Sequence, residues 1–236
     1  MLGATFRAAR LERGWTQHEA AERMGVSQGY VSLVESGRRP ASSALLRRAL
    51  RVLRLPPTAL PTGQVRQLDA AGLAGALAAL GYPGFAFLRS RRRFNPAEVL
   101  LAALRTPNLE ARALEALPWV AVEFFGLDWD WLLAQAKLND VQNRLGFVVT
   151  LARRLAERRE AAATVSILTA VEERLQRSRL AREDTLCYES MTRAERVWLR
   201  SHRPADARRW NLLTDVVIEE LRHASRAARP VAGLPA

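Results

Sequence analysis

The chain has 236 residues, 49% of them hydrophobic, which is enough apolar content for two ordinary domains with buried cores. Cys187 is the single cysteine, so an intrachain disulfide and a cysteine zinc site are excluded; no apolar run approaches a bilayer span or the core of a secretory leader, and a cytoplasmic protein with no membrane partner is expected. The formal net charge of +12 at pH 7 favours a polyanion, although Lys137 is the one lysine among 36 basic residues, so part of the excess reflects genome composition.

The charge is not evenly spread. Residues 1–56 hold ten arginines against four glutamates, and residues 57–95 hold five arginines against Asp69, whereas residues 96–146 reverse sign with four basic and seven acidic side chains. Different parts of the chain therefore face different partners.

Thr5 to Arg13 reads as a first helix with Phe6 and Leu11 toward a core, ended by Gly14. The stretch TQHEAAERMGVSQGYVSLVESGRR, Thr16 to Arg39, then holds two short helices bent about a glycine. Thr16 caps the first of them, with Glu19 three residues on at capping-box spacing, and the helix runs from Gln17 to Met24. Gly25 supplies the positive φ of a sharp exit, Ser27 is the next N-cap, and Val31 and Val34 recur at helical spacing before Gly37. Two helices joined by so tight a turn cross steeply, which is helix-turn-helix geometry. Projecting the second helix at about 100° per residue puts Tyr30, Val31 and Val34 on one side and Gln28, Gly29, Ser32 and Leu33 on the other. The second set is free to enter a groove: Gln pairs with adenine, Ser reaches several base edges, and Leu packs on a thymine methyl. Helix N-terminal amides, Arg38 and Arg39 are placed to hold phosphates, with Arg10 and Tyr30 as further phosphate candidates.

These residues resemble the Cro/cI-like (XRE) helix-turn-helix family of bacterial and phage regulators. The matching elements are Thr16-Gln17, the small Ala21, Gly25-Val26-Ser27-Gln28, Glu35, Gly37 and Pro40. The resemblance implies that Gln17 clamps a phosphate and that Gln28 is the main base reader, with Ser27, Gly29, Ser32 and Leu33 beside it. Ala20 departs from the usual Leu and thins the small core. Gly29 removes a side chain from a position that often reads a base, so operator preference does not transfer from a relative.

A further helix begins near Ser42 or Ser43, with Leu45, Leu46, Ala49, Leu50 and Leu53 on its apolar face and Arg47, Arg48, Arg51 and Arg54 on a solvated one. Pro56-Pro57 stop it, and a last turn at Thr58 to Leu60 completes the five-helix DNA-binding domain that the resemblance implies. Pro61 to Leu68 is a short linker. Asp69 to Leu80 is a small-residue helix and a candidate for dimerisation, with a plain core helix as the alternative. Gly81 to Asn95 is the one stretch with strand-like alternation, and Arg91, Arg92 and Arg93 within it are candidate accessory DNA contacts.

From Asn95-Pro96 the pattern is one of successive helices, expected at 96–104, 108–116, 118–125, 128–138, 140–159, 161–177, 192–201 and 204–224. Trp119, Phe125, Trp129 and Trp131, set among Glu123, Asp128 and Asp130, suit either a protein interface or a helical core. The polar residues Asn139, Asp140, Gln142, Asn143 and Arg144 satisfy one another or bind a partner. The runs NPAEVLLAALRTPNLEARALEALPW and DWDWLLAQAKLNDVQNRLGF are similar to C-terminal regions of bacterial helix-turn-helix regulators associated with toxin-antitoxin operons, whose partner is a nucleotidyltransferase-like toxin.

No catalytic constellation accompanies these features. His18, His202 and His223 are not spaced as metal ligands, there is no phosphate loop or nucleophile elbow, and Asp128 with Asp130 makes a poor cation site. The expectation is an all-α protein without metal, cofactor or enzymatic activity: a helix-turn-helix domain at 1–60, a linker with a dimerisation or basic segment at 61–95, a larger helical partner or effector domain at 96–228, and a tail at 229–236. It binds operator DNA as a homodimeric repressor and acts as an autoregulating antitoxin. The alternative is a stand-alone regulator whose helical domain binds a small ligand.

Overall fold

Helix formation starts at Leu2, earlier than the expected Thr5, because Gly3 is a contact residue rather than a breaker. A Cβ on Gly3 would stand 2.7 Å from the Glu35 carbonyl oxygen, so its absence lets Leu2–Leu11 (α1) lie against the end of Gln28–Glu35 (α3). Between them runs Gln17–Met24 (α2), and Ser43–Val52 (α4) follows with a 3-10 turn at Pro57–Ala59. The computed structural model describes residues 2–63, 67–90 and 94–221 and divides the chain after Pro61. The core of this first unit gathers Phe6, Ala20, Met24, Val31, Val34, Leu45, Ala49 and Leu50. Ala20, where the resemblance expects Leu, is fully buried in this core.

The second unit, from Thr62 on, is also all-α apart from one short strand pair. Its helices are Ala70–Ala79 (α5), Pro96–Leu104 (α6), Ala111–Glu123 (α7), Trp129–Leu138 (α8), Gln142–Arg158 (α9), Ala162–Gln176 (α10), Arg193–His202 (α11) and Ala205–Arg209 (α12). Leu73, Ala76 and Leu77 of α5 are buried in the same core as α6 to α10, so this small-residue helix is built into the helical unit. Side chains on nearly every face of α9 are buried from Gln142 to Ala152, which makes it the central element. No helix among the described residues is long and apolar enough to cross a membrane.

The alternation at 81–90, too short by itself to settle a strand, belongs to a 3-10 turn at Pro83–Phe85, with Phe85 buried and Phe87 68% exposed. Two expectations fail locally. The expected helices 108–116 and 118–125 are one helix, α7, with Pro118 inside it. A proline in mid-helix removes one backbone bond, but Leu117, Trp119, Val120 and Ala121 are all fully buried around it, and that apolar burial outweighs the loss. The long helix expected at 204–224 ends at Arg209, and Asn211 turns the chain at φ 54°. Leu212–Leu213 (β2) then pairs in parallel with Asp184–Thr185 (β1), and Ile218–Glu220 makes a 3-10 turn. Residues 222–224 and the tail 229–236 lie outside the described residues.

Asn143 and Arg144, in the polar run at the start of α9, find their partners within the chain. Asn143 donates to the Leu180 carbonyl at 3.0 Å and accepts from the Leu180 amide at 2.8 Å. Arg144 makes a bidentate pair with Asp184 at 2.8 and 3.0 Å and donates to the Leu104 carbonyl at 2.9 Å. Together they fasten the loop before β1 to the helical core.

Candidate nucleic-acid interface

Each end of the two motif helices is fixed by a side chain. The Thr16 hydroxyl accepts from the Glu19 amide at 3.2 Å, and the Glu19 carboxylate accepts from the Thr16 amide at 2.7 Å, completing the capping box. The Thr16 amide and the Thr16 hydroxyl, which donates to the same carboxylate at 2.9 Å, hold the Glu19 carboxyl below the usual carboxylate range. Gly25 sits at φ 61° and ends α2. Arg48 reaches from α4 and donates to the carbonyls of Met24 at 2.8 Å and Gly25 at 3.3 Å, so a residue read as part of a solvated face is the clasp of the turn. The Ser27 hydroxyl accepts from the Tyr30 amide at 3.3 Å and caps α3.

On α3, Val31, Val34 and Glu35 are buried, Tyr30 and Ser32 are half-buried, and Gln28, Gly29 and Leu33 are exposed. One hydrogen-bonded chain runs from the core to this free face. Arg10 Nε and Nη2 donate to the Glu35 carboxylate at 2.6 and 2.9 Å, Gln17 Nε2 donates to the same carboxylate at 3.0 Å, and Gln28 Nε2 donates to Gln17 Oε1 at 2.8 Å. An ionised carboxylate only accepts, so Glu35 dictates that the Gln17 amide turns its nitrogen inward and its oxygen toward Gln28. Gln28 must then spend one N–H on Gln17. It keeps its oxygen and a second N–H for solvent, the acceptor and donor pair that matches N6 and N7 of adenine. Burial opposes the charge of Glu35, yet the hydrogen bonds from Arg10 and Gln17, with the field of Arg10, leave its carboxyl below the usual range; the Glu35 bond likewise raises Arg10.

The expected phosphate residues fall into three situations. Arg10 is corrected: it is 7% exposed and its guanidinium is committed to Glu35 and the Trp15 carbonyl, so it is an internal strut. The Tyr30 hydroxyl accepts from the Ser42 amide at 2.9 Å and donates to the Pro40 carbonyl at 3.3 Å, which ties α3 to the start of α4. Arg38 and Arg39 are exposed just past α3, Arg39 lying 5.1 Å over the Tyr30 ring. Arg91, Arg92 and Arg93 lie outside the described residues.

The aromatic residues read as a protein interface divide in the same way. Trp119 is fully buried among Tyr82 and Phe124, and Trp129 is 8% exposed with its indole N–H donating to the Phe125 carbonyl, so both are core residues. Their spacing on α7 and α8 follows the core face, which is why an interface reading could not be separated from it. Phe125 is exposed and Trp131 half-buried. Arg48 and the linkage of Glu35 were missed as functional supports. A signal for Glu35 did exist: a carboxylate in the last turn of a helix opposes the helix dipole and calls for a nearby cation.

Residues 1–62 match the family described as a helix-turn-helix domain. No curated protein and no solved structure matches the chain. With a capped α2, a left-handed exit at Gly25 and a free polar face on α3, the first unit is a helix-turn-helix domain of the DNA-binding kind, followed by a helical unit.

Proposed function

We propose that the chain is a sequence-specific transcriptional regulator of the Cro/cI-like type, a dimeric repressor that lays α3 in the major groove of its operator. The observation that carries this is the exposed Gln28 on α3, held by the N–H it donates to Gln17 at 2.8 Å. Gln17, Arg38 and Arg39, with the N-terminal amides of α2 and α3, hold the phosphates on either side. A homodimer would read two half-sites about 34 Å apart. The chain acts by binding rather than by catalysis, and it works in the cytoplasm.

The experiment is selection of bound duplexes from a random pool, followed by Gln28→Ala. The substitution lowers affinity for the selected duplex by about 1 to 3 kcal/mol and leaves nonspecific binding nearly unchanged. An equal loss on both DNAs would show that Gln28 does not read a base.

The proposed elaboration is an autoregulating antitoxin whose helical unit binds a nucleotidyltransferase-like toxin; it is supported by the resemblance of residues 95–160 to regulators of that kind. Co-purification with the product of an adjacent toxin gene tests it, and an adjacent gene product that fails to bind counts against it. A small-ligand sensor is the second reading. A polar cleft of about 450 Å³, lined by Arg105, Asn139, Asp140, Arg144, Arg182 and Glu189, favours it, although Arg144 there is already held by Asp184.

A further inference from the structure

We infer that Gly29 is a notch in the reading face of α3 that receives the 5-methyl group of a thymine in the operator. This rests on the reading of α3 as the helix that enters the major groove. Of the five glycines in residues 2–61, four are explained by the protein itself. Gly14, Gly25 and Gly37 have φ of 66°, 61° and 72°, in the left-handed region that favours glycine, and Gly3 makes room for the end of α3. Gly29 has neither reason. Its φ is not positive, and a Cβ built there meets nothing within 4 Å.

Glycine is a poor helix former, and α3 has only eight residues. Nothing in the first unit requires glycine at this position of so short a helix, which leaves something outside the free chain to fill the space. Its place says what. Gly29 is one residue from Gln28 and lies three and four residues before Ser32 and Leu33, so it is central to the exposed face that they make. On that face the missing side chain leaves a hollow about one methyl group deep, floored by Cα. In the major groove the group that projects toward a protein and asks for an apolar hollow is the thymine methyl. Leu33 is 37% exposed at the next turn and supplies an apolar wall. Specificity at this base pair is steric: the pocket admits a methyl because the protein withholds one.

The test exchanges the methyl between partners, using the full chain and the duplex that the wild-type chain selects from a random pool. Gly29→Ala keeps the fold, with a thermal midpoint equal to or above that of wild type, and loses at least tenfold in affinity for the selected duplex. Replacing thymine by deoxyuridine, one position at a time, restores most of that loss at a single position and weakens the wild-type chain at the same position. Gly29→Ala binding as tightly as wild type, or a loss that no deoxyuridine restores, overturns the notch while leaving α3 as the reading helix. A wild-type chain that selects no duplex overturns both readings together.

Discussion

Glu35 joins three helices through one carboxylate: it stands on α3, takes two bonds from Arg10 of α1 and one from Gln17 of α2. Arg10 and Glu35 are 7% and 9% exposed, so neither charge is tolerable without the other. Arg10→Ala leaves a buried carboxylate and is expected to destabilise the first unit by about 3 kcal/mol in chemical denaturation, the low end for breaking such a pair. Arg10→Met with Glu35→Leu removes both charges and recovers most of that stability. The double variant would still lose selectivity on DNA, because Gln17 no longer has the acceptor that orients it. The same carboxylate sets a pH dependence. Its folded pKa lies below the unfolded value of about 4.3, so its contribution is complete above that value and disappears as pH falls through the lower folded one. Glu35→Gln should therefore flatten the acid limb of a stability–pH curve for the first unit; an unchanged limb would assign the acid sensitivity to other carboxylates. At this scale the sequence was readable where a residue acts locally, as Thr16, Gly25 and Ser27 do. It was not readable for Arg10 and Arg48, whose partners lie 25 and 23 to 24 residues away and depend on how helices cross.

Among the elements, α9 organises the second unit, and its least expected residue is Gly146. A Cβ there would overlap the Trp210 ring, standing 2.5 Å from its Cε3 and closer still to Cζ3, while the Trp210 indole N–H donates at 2.9 Å to the Thr150 hydroxyl one turn further along. The glycine thus makes a socket for the tryptophan that follows α12, and the chain beyond Trp210 turns off to pair β2 with β1. Gly146→Ala is expected to cost about 1 to 3 kcal/mol by overpacking, even though alanine is the better helix former. Gly146→Ala combined with Trp210→Leu should cost less than the sum of the two single changes, which a double-mutant cycle measures directly. Additive losses would mean that the ring does not occupy that socket. This contact also explains why residues 210–221 look like a continuation of α12 and are not. Their apolar spacing is shared by a buried tryptophan, a two-residue strand and a 3-10 turn, each satisfied by different neighbours. Helices bounded by local signals, such as Asn95-Pro96 before α6, were legible to within a residue or two.

The described residues contain two main cores with no residue in common, one built round Phe6 and Val31 and one round Trp119 and Phe147. Separate cores predict separate thermal transitions. Phe6→Ala, at a fully buried site, should lower one transition by about 3 to 5 kcal/mol, and Trp119→Ala should lower the other by a similar amount. Ligand linkage then ties each transition to a function. A duplex bound by the first unit alone, at 100 times its dissociation constant, raises the Phe6-sensitive transition by about 2.7 kcal/mol and leaves the Trp119-sensitive one in place. A homodimer held through the helical unit has a different signature: the Trp119-sensitive midpoint climbs with protein concentration in the absence of DNA. Calorimetry across a concentration series, with and without the selected duplex, reads both effects in one experiment. A single transition lowered equally by both substitutions would show that the two cores unfold as one, and a Trp119-sensitive midpoint indifferent to concentration would count against a dimer held through the helical unit.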